Sequence, residues 1–585
     1  MQHYLCPARL GALLAVTIAL SATGAFAGWN PDGVTVRPTA ALISQVAASS
    51  DGDSGTFVAW QEITTSPVGL LRVQHLLSSG DLDPTWPVDG ASASDVAASR
   101  AFVMTVPDRQ GGVYVCWTEG TDNRSLHVTR VDANGQVANG WPASGKNLGS
   151  VAPDYYGWPS VIEDGGHGLF VSWSRGTSVR AQRFGPDGLG AGGWPNASMI
   201  VVPVDQVLTL HLWPDLALAP DGGIFLSWTT YSTDTTQVDS GMHLRRLTGA
   251  GLNSPGWPSE GRSLGPFRLE ILGIWARAPL LDISPDARGG LFVFAGNLWG
   301  EVGFSHVDRR LHRLLADGQP SPGWPVDGYS PGGFESYFGD ESVGQGLRVL
   351  PDGLDGALVV VPTYATHSPG LIYLPACSPG GLWRYGVSGV SGGHELVAKG
   401  DGGVFLAHFK PDGPYGPYSW NAFIGLEQSS PQPGWIPWSE RRTERLVQSY
   451  GDIALAPTGD GGVVFFWSQV RERFGLFARR FSPAGEITAV TGVGSGSGDN
   501  PAPRFQQRFV PGTGVVARIA LDGEPARLDL FDVSGRRISS RTLHESGPGA
   551  NDVSLPGTAS LASGVYFARL ASGEIADFGK VAIAR

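Results

Sequence analysis

The chain has 585 residues, of which 42% are hydrophobic and only 16% are charged, and its formal net charge is −12. This composition is too apolar for a disordered chain and too poor in charge for a coiled coil. Its 84 glycines and 43 prolines, interleaved with apolar runs, indicate many short strands joined by tight turns. The sequence has no basic cluster, so we expect no binding to nucleic acid or to an anionic membrane.

The first 27 residues have the features of a signal peptide. Arg9 gives a positive end, residues 10–22 form a short apolar stretch, and Ala25-Phe26-Ala27 is a small-x-small cleavage site. A membrane-spanning helix needs about 20 apolar residues, so this stretch is too short for a stable anchor. We expect residues 1–27 to be removed, the mature protein to be secreted or to reach the outer cell surface, and no transmembrane anchor to follow.

A repeated pattern occupies most of the chain. In one unit Arg246 is followed five positions later by Gly251 and six positions after that by Trp257. The spacing recurs, with Arg or His in first place, at His75/Gly80/Trp86, Arg130/Gly135/Trp141, Arg183/Gly188/Trp194 and Arg313/Gly318/Trp324. A second signature is a glycine turn followed by an apolar run that often ends in Trp, as in residues 112–117, 168–173, 223–228 and 462–467.

Each unit can hold four strands. In the unit around Arg246 the predicted strands are 215–219, 224–228, 242–247 and 262–264, with a Gly turn after the first. Four antiparallel strands repeated around an axis predict an all-β fold with a β-propeller at 28–491. The copies number eight, or seven if the degenerate sixth and seventh copies do not both form blades.

The repeated tryptophan is predicted to be a wedge between neighbouring blades. A residue that is fixed in register is what packing requires, and an indole that buries roughly 200 Å² contributes on the order of 5 kcal/mol before entropy. The alternative is an exposed tryptophan that stacks on carbohydrate.

The two ends of the repeat region complement each other. The mature chain opens in mid-unit, where an outer strand at 34–36 is predicted, and the last unit stops after Gly485. The N-terminal strand can therefore complete the last blade, although residues 486–490 could also supply that strand. The Arg-Leu-x-x-x-Gly strand and turn resembles the repeats of bacterial β-propellers.

The tail has a different pattern. Residues 492–504 begin with a run of Gly and Ser and are predicted to be a flexible linker. The alternating segments 515–521, 526–533 and 565–570 indicate a small antiparallel β-sandwich over 505–585.

Two segments of the tail carry a family resemblance. Residues 528–536 (LDLFDVSGR) and 561–570 (LASGVYFARL) are similar to motifs of the flagellar-hook-cap-type Ig-like domain and of the related sorting domain of type IX secretion. The resemblance implies an Ig-like domain that an outer-membrane secretion machinery reads, and that is then cleaved or used for surface attachment. The alternative is an accessory Ig-like module without a sorting role.

The sequence contains no recognisable catalytic motif. No Gly-x-Ser-x-Gly elbow is placed between a strand and a helix, no His pair has metal-ligand spacing, and the Gly-Gly pairs precede strands and not helices, so we predict no catalytic residue, no metal site and no cofactor. The acidic turns at Asp51-Gly52-Asp53, Asp352-Gly353 and Asp460-Gly461 offer oxygens to Ca²⁺, but a complete Ca²⁺ loop is absent and we interpret them as turn residues. Cys116 and Cys377 are interpreted as buried thiols.

Three insertions interrupt the repeat, at 229–241, 329–346 and 409–420. They fall in connections that emerge on the same face of a propeller, and loops on a rigid scaffold often carry binding sites. We predict that this rim binds a ligand through Phe334, Tyr337, Phe338, Asp340, Glu341, Tyr415, Tyr418 and Trp420.

These features favour a secreted or surface-attached binding scaffold without catalytic activity, whose partner is a surface protein or a glycan. Two alternatives stay open at this point. One is an extracellular propeller hydrolase or lyase that acts on polysaccharide through acids in its loops. The other is a structural protein of the cell envelope.

Overall fold

The structure is a computed structural model, and it describes residues 29, 33–65, 67–121, 124–151, 159–175, 178–197, 199–202, 209–232, 241–266, 280–286, 288–301, 304–329, 334–337, 348–351, 357–363, 368–374, 383–386, 394–398, 404–411, 420–425, 443–446, 452–469, 475–482, 505–510, 514–520, 526–532, 537–543, 550–561, 564–572 and 575–583. These residues form β-strands with one 3-10 turn at Thr558–Ser560. The chain divides into two compact units, residues 1–489 and 490–585.

Among the described residues, the first unit contains eight four-stranded antiparallel sheets, numbered here in chain order. Sheet 1 consists of β2 (Leu42–Ser50), β3 (Thr56–Thr65), β4 (Val68–Leu76) and β5 (Ala91–Ser92). Sheet 2 consists of β6 (Arg100–Pro107), β7 (Val113–Glu119), β8 (Ser125–Val131) and β9 (Lys146–Ser150). Sheet 3 consists of β10 (Ser160–Glu163), β11 (Leu169–Arg175), β12 (Ser178–Phe184) and β13 (Met199–Val202). Sheet 4 consists of β14 (Thr209–Leu218), β15 (Ile224–Ser232), β16 (Gly241–Leu247) and β17 (Arg262–Pro266).

The remaining four sheets follow the same order. Sheet 5 consists of β18 (Leu280–Pro285), β19 (Leu291–Glu301), β20 (Phe304–Leu314) and β21 (Phe334–Tyr337). Sheet 6 consists of β22 (Arg348–Pro351), β23 (Ala357–Thr363), β24 (Ser368–Leu374) and β25 (Trp383–Gly386). Sheet 7 consists of β26 (His394–Ala398), β27 (Val404–Pro411), β28 (Trp420–Gly425) and β29 (Thr443–Leu446). Sheet 8 consists of β30 (Ile453–Pro457), β31 (Val463–Gln469), β32 (Gly475–Phe481) and β1 (Val34–Pro38).

Sheet 8 joins the two ends of the first unit. Its fourth strand, β1, pairs antiparallel with β32, from Val34 opposite Ala478 to Pro38 opposite Gly475. This confirms the prediction that the N-terminal strand completes the last sheet. The alternative strand at 486–490 lies outside the described residues.

The sheets form their cores against one another. Where the side chains are described, the second strands are mostly apolar and buried, such as Val113–Trp117 in β7, because both faces of the sheet are covered. One core cluster contains Tyr114 of sheet 2 together with Leu169 of sheet 3, and another contains Phe466 of sheet 8 together with Val58 of sheet 1. The first strands of neighbouring sheets contact one another in the order β30, β2, β6, β10, β14, β18 and β22, and β26 contacts β30.

The strands predicted around Arg246 are confirmed as β14, β15, β16 and β17, but β14 begins earlier than predicted, at Thr209. A register shift between Leu212 and Asp215 lies within it. Trp213-Pro214 falls in this bulge, where proline is tolerated because no ladder hydrogen bond is lost.

The second unit contains two sheets within its described residues. One consists of β33 (Phe505–Val510), β34 (Gly514–Ala520) and β37 (Ala550–Ser554). The other consists of β35 (Ala526–Asp532), β36 (Arg537–Leu543), β38 (Gly564–Ser572) and β39 (Ile575–Ile583). Side chains of both sheets share one core, in which Val515 and Val553 pack with Leu528 and Leu530. No helix among the described residues is long and apolar enough to cross a membrane.

The buried face of β1 gives a direct test of closure. Val36 is buried between sheets 8 and 1, whereas its neighbour Thr35 is exposed. Val36→Asp should lower the free energy of unfolding by about 2–7 kcal/mol, because it buries a polar group without a partner. Thr35→Asp should change it by less than about 0.5 kcal/mol. Urea unfolding of both variants measures this, and similar losses would mean that β1 does not close the sheet.

Candidate functional site

The structure describes three of the eight residues of the predicted rim, by their backbone position. Phe334 and Tyr337 are the first and last residues of β21, opposite Val307 and Phe304. The prediction that they lie in a loop insertion is wrong, because the outer strand of sheet 5 lies within that segment. Trp420 is the first residue of β28, opposite Pro411. The other predicted residues lie outside the described residues, and they are Phe338, Asp340, Glu341, Tyr415 and Tyr418.

The strand order still places Tyr337 and Trp420 at the same end of their sheets. In each sheet the connections from second to third strand and from fourth strand to the next sheet leave at the same end. Tyr337 ends a fourth strand and Trp420 begins a third strand. The first insertion, predicted at 229–241, starts inside β15, and the connection leaves β15 at Ser232 and reaches β16 at Gly241. We call this end the loop face and the opposite end the turn face.

The turn face carries the repeated tryptophans, which join each sheet to the next. For five of these tryptophans the structure gives a hydrogen bond of the indole, and we call them the wedge tryptophans. Each of them is at most 7% exposed. Each indole Nε1–H donates to a backbone carbonyl in the following sheet, as in Trp29 to Ser78 (2.9 Å), Trp86 to Ala133 (3.0 Å), Trp141 to Pro186 (2.9 Å), Trp194 to Gly249 (3.0 Å) and Trp257 to Ala316 (3.1 Å). The wedge interpretation of the repeated Trp is thus confirmed for these five residues.

The repeat arginine strengthens the same contact. The Nη1 group of Arg183 donates to the carbonyl of Gly249 at 2.9 Å, and that carbonyl also accepts from Trp194. Arg246 likewise shares the carbonyl of Ala316 with the next wedge tryptophan. One carbonyl therefore accepts two hydrogen bonds from the preceding sheet, which uses both of its lone pairs.

The second function of the repeat arginine is to pair with an aspartate in the turn between the first two strands of its own sheet. The pairs are Arg130–Asp108 (2.7 Å), Arg183–Asp164 (2.9 Å), Arg246–Asp221 (2.9 Å), Arg313–Asp286 (3.0 Å) and Arg480–Asp460 (2.6 Å). Sequence reasoning missed this partner. The signal was present, because an acidic residue precedes the Gly of each of these turns.

These aspartates also fix the turn itself. Asp164 Oδ1 accepts from the backbone N–H groups of Gly166 and Gly168, while its Oδ2 accepts from the arginine. A short polar side chain that bonds its own backbone in this way replaces part of the ladder at a turn. The carboxylates at 51 and 460 are engaged in their turns in the same manner, as predicted, and the turn at 352 lies outside the described residues.

Glycine is required at a position four residues after some wedge tryptophans, because a second indole ring lies too close to leave room for a Cβ atom. Gly145 has φ +78°, and a Cβ at this position would lie 2.4 Å from the indole of Trp117 in the same sheet. Gly261 has the same relation to Trp228, at 2.5 Å. Trp117 and Trp228, which belong to the second strands of their sheets, therefore pack beneath the turns that follow the wedge tryptophans.

Aspartates of the first strands form a third contact between sheets. Asp215 accepts a hydrogen bond from the backbone N–H of Ile283 in the next sheet (3.1 Å), and Asp282 accepts from Val349 (2.5 Å). Asp452 accepts from Gln45 of sheet 1. Burial raises the pKa of Asp452, although these backbone hydrogen bonds act against the rise. These three aspartates therefore bind backbone amides of the next sheet.

Histidines of the third strands were predicted to be packing residues. His127 and His243 stack on Trp117 and Trp228, with ring centroids 5.4 Å apart in both pairs. His312 occupies a different register and lies against Gly328. Burial, followed by the charge of Arg310, lowers the pKa of His312 to about 4, so it is neutral at pH 7.

The described residues contain no group of three or more His, Cys, Asp or Glu side chains that could hold a metal ion. Cys116 is a buried free thiol whose pKa is raised by burial, which makes it unreactive, and Cys377 lies outside the described residues.

Comparison with known proteins returns no match to a family model and no match among curated proteins. Among solved structures, the SapL1 lectin in complex with α-methyl fucoside is 12% identical, with a TM-score of 0.31 over 60% of this chain and 98% of the lectin. The α-L-arabinofuranosidase of Fusarium graminearum with arabinobiose is 9% identical, with a TM-score of 0.25 over 61% of this chain and 96% of the enzyme. Kuenenia stuttgartiensis hydrazine synthase is 10% identical, with a TM-score of 0.31 over 77% of this chain and 98% of that protein. At these values the matches support no statement about activity.

The burial of the repeat ion pairs predicts a strong coupling. Asp164 and Arg183 are 6% and 19% exposed, whereas the neighbouring surface pair Glu163 and Arg109 is 31% and 52% exposed. Double-mutant cycles with alanine should give about 1.5–3 kcal/mol for the first pair and less than about 1 kcal/mol for the second. Thermal or urea unfolding of the wild type, the four single variants and the two double variants measures both couplings. Equal couplings would contradict a structural role for the repeat arginine.

Proposed function

We propose that the eight sheets form a closed propeller and that the protein is a secreted or surface-attached binding scaffold without catalytic activity. The observation that carries this proposal is that the turn face and the loop face differ in the residues they carry. The repeated charged and aromatic groups lie on the turn face and are engaged in joining sheets. The segments that break the repeat leave from the loop face.

A scaffold of this kind suits ligand binding. Its sheets are held by buried side chains on both faces, so loops that leave from one end are positioned by rigid elements. The loop face carries Tyr337 and Trp420 at the ends of strands, and tyrosine and tryptophan are the residues that most often dominate binding energy. We propose that this face binds a glycan or a protein on a cell surface.

A polysaccharide hydrolase or lyase is the second candidate, and one observation favours it. The pKa of Asp452 is raised by burial, and a carboxyl with a raised pKa is what general acid catalysis requires. The Asp452 carboxyl also has a structural role, because it accepts a hydrogen bond from the Gln45 N–H. Asp215 and Asp282 accept equivalent backbone hydrogen bonds. If the enzyme proposal is correct, the wild type depolymerises a polysaccharide and Asp452→Asn abolishes this activity.

For the second unit we propose an Ig-like domain that is read by an outer-membrane secretion machinery. The support is a two-sheet arrangement with one shared core, to which β35 and β38 contribute Leu528, Leu530 and Ala568. These strands contain residues 528–532 and 564–570 of the two segments whose sequence resembles sorting domains.

The binding proposal predicts a loss of affinity when the loop face is changed. Substitution of Tyr337, Tyr418 and Trp420 by Ala should weaken binding to the ligand found in a glycan or cell-surface screen by at least about tenfold. The matched control replaces exposed apolar residues of the turn face with Ser, namely Val88, Leu252 and Val326. Binding that survives the first triple substitution, or is lost in the control, contradicts the proposal.

The export proposal predicts where the protein is found. Deletion of residues 505–585 should leave the first unit inside the outer membrane, while the full chain reaches the surface or the medium. Fractionation of the native cells with mass mapping of the mature termini measures this, and it also shows whether cleavage occurs after Ala27. Surface exposure of the truncated chain would mean that the tail has no sorting role.

A further inference from the structure

Sheet 1 differs from the other described units at one repeat position. Where five units have an arginine paired with the aspartate of the first turn, sheet 1 has His75 paired with Asp51. An arginine is charged at every physiological pH, whereas a histidine carries its charge only when protonated. The substitution therefore makes one contact of the ring dependent on pH.

The surroundings of His75 require a proton on both ring nitrogens. Nδ1 lies 2.8 Å from Asp83 Oδ2, and Nε2 lies 3.1 Å from Asp51 Oδ2. A neutral imidazole has one N–H donor and satisfies one of these carboxylates only. The side chains of Asp51 and Asp83 are 11% and 13% exposed, so water is a poor substitute for the lost donor.

The position of His75 links it to ring closure. It is near the end of β4, just before the turn whose Ser78 carbonyl accepts the indole N–H of Trp29 from sheet 8. Gly80 of the same turn lies against the Trp29 ring. Asp83 follows this turn, and its backbone N–H donates to the carbonyl of His75. The turn at 77–83 is therefore held on one side by His75 and receives the N-terminal segment on the other.

We propose that His75 is a proton-dependent latch on the seam between sheets 8 and 1. Protonated His75 holds Asp51 and Asp83 and keeps the turn at 77–83 in place to receive Trp29. Loss of the proton leaves Oδ2 of one of these partly buried carboxylates without its histidine donor and loosens this seam, while the seams held by arginine are unaffected. This inference is independent of which ligand the loop face binds.

The groups that face His75 determine the direction of the effect. Asp51 comes from the β2–β3 turn and Asp83 from the segment after β4, and the rings of Phe57 and Trp86 cover the imidazole at centroid distances of 4.5 and 5.9 Å. Burial opposes the charge, but the hydrogen bonds and charges of the two aspartates outweigh it and raise the pKa of His75 above 6.5. The stabilisation is thus complete below pH 6.5 and is lost as the pH rises through the folded-state pKa.

Hydrogen exchange of the full mature chain tests the proposal. After correction for intrinsic rates, the opening constant of peptides covering 77–83 and 33–38 should rise about tenfold per pH unit between 6.5 and the folded pKa of His75. Arg130, which pairs with Asp108, takes the place of His75 in sheet 2, and the equivalent turn at 132–138 should show no such rise. This comparison within the wild type needs no variant, and equal behaviour of the two turns would overturn the proposal.

Two matched variants exchange the residues. His75→Arg should remove the pH dependence of the 77–83 turn, and Arg130→His combined with Ala138→Asp, which supplies the counterpart of Asp83, should confer one on the 132–138 turn. Persistence of the wild-type pH dependence in His75→Arg would overturn the assignment to His75. Should either variant fail to fold, the two turns of the wild type decide the question.

Discussion

A four-stranded sheet with two apolar faces is stable only when both faces are covered, and this constraint governs the first unit. Its core clusters lie between sheets, each drawing side chains from two neighbours. The indole of each wedge tryptophan crosses this boundary and donates to a carbonyl of the following sheet. Packing and hydrogen bonding therefore act at the same place, and stability belongs to pairs of neighbouring sheets.

Three kinds of contact repeat in the same direction around the unit. The tryptophan and arginine bind the next turn, and the first-strand aspartate binds the next backbone amide. Because these contacts use the spacing that repeats within the chain, the repeated tryptophans, arginines and first-strand aspartates that form them are committed to structure. The contacts of the repeated tryptophan and arginine that are described lie on the turn face, whereas the insertions leave from the loop face.

The sequence was informative where one residue type had one physical use. The glycine spacing and the apolar second strands predicted the four strands around Arg246, and the mid-unit start predicted the pairing of β1 with β32. The start of β14 was missed because Trp213-Pro214 reads as a break, although it lies in a bulge. β21 was missed because its short segment, Phe334–Tyr337, gives no alternation that separates a strand from a loop. The aspartate partner of each arginine was missed because pairing across a sheet depends on register, which spacing along the chain does not give. The binding role of the rim stays a prediction.

The account rests on the claim that the wedge tryptophans join neighbouring sheets, and Trp194 offers the most direct test. Its side chain is 4% exposed and contacts sheet 4. Urea unfolding of Trp194→Ala should show a loss of about 3–5 kcal/mol, the range for truncating a buried tryptophan. A loss below about 1 kcal/mol would contradict the account, because it would mean that the indole contributes little to the contact between the sheets.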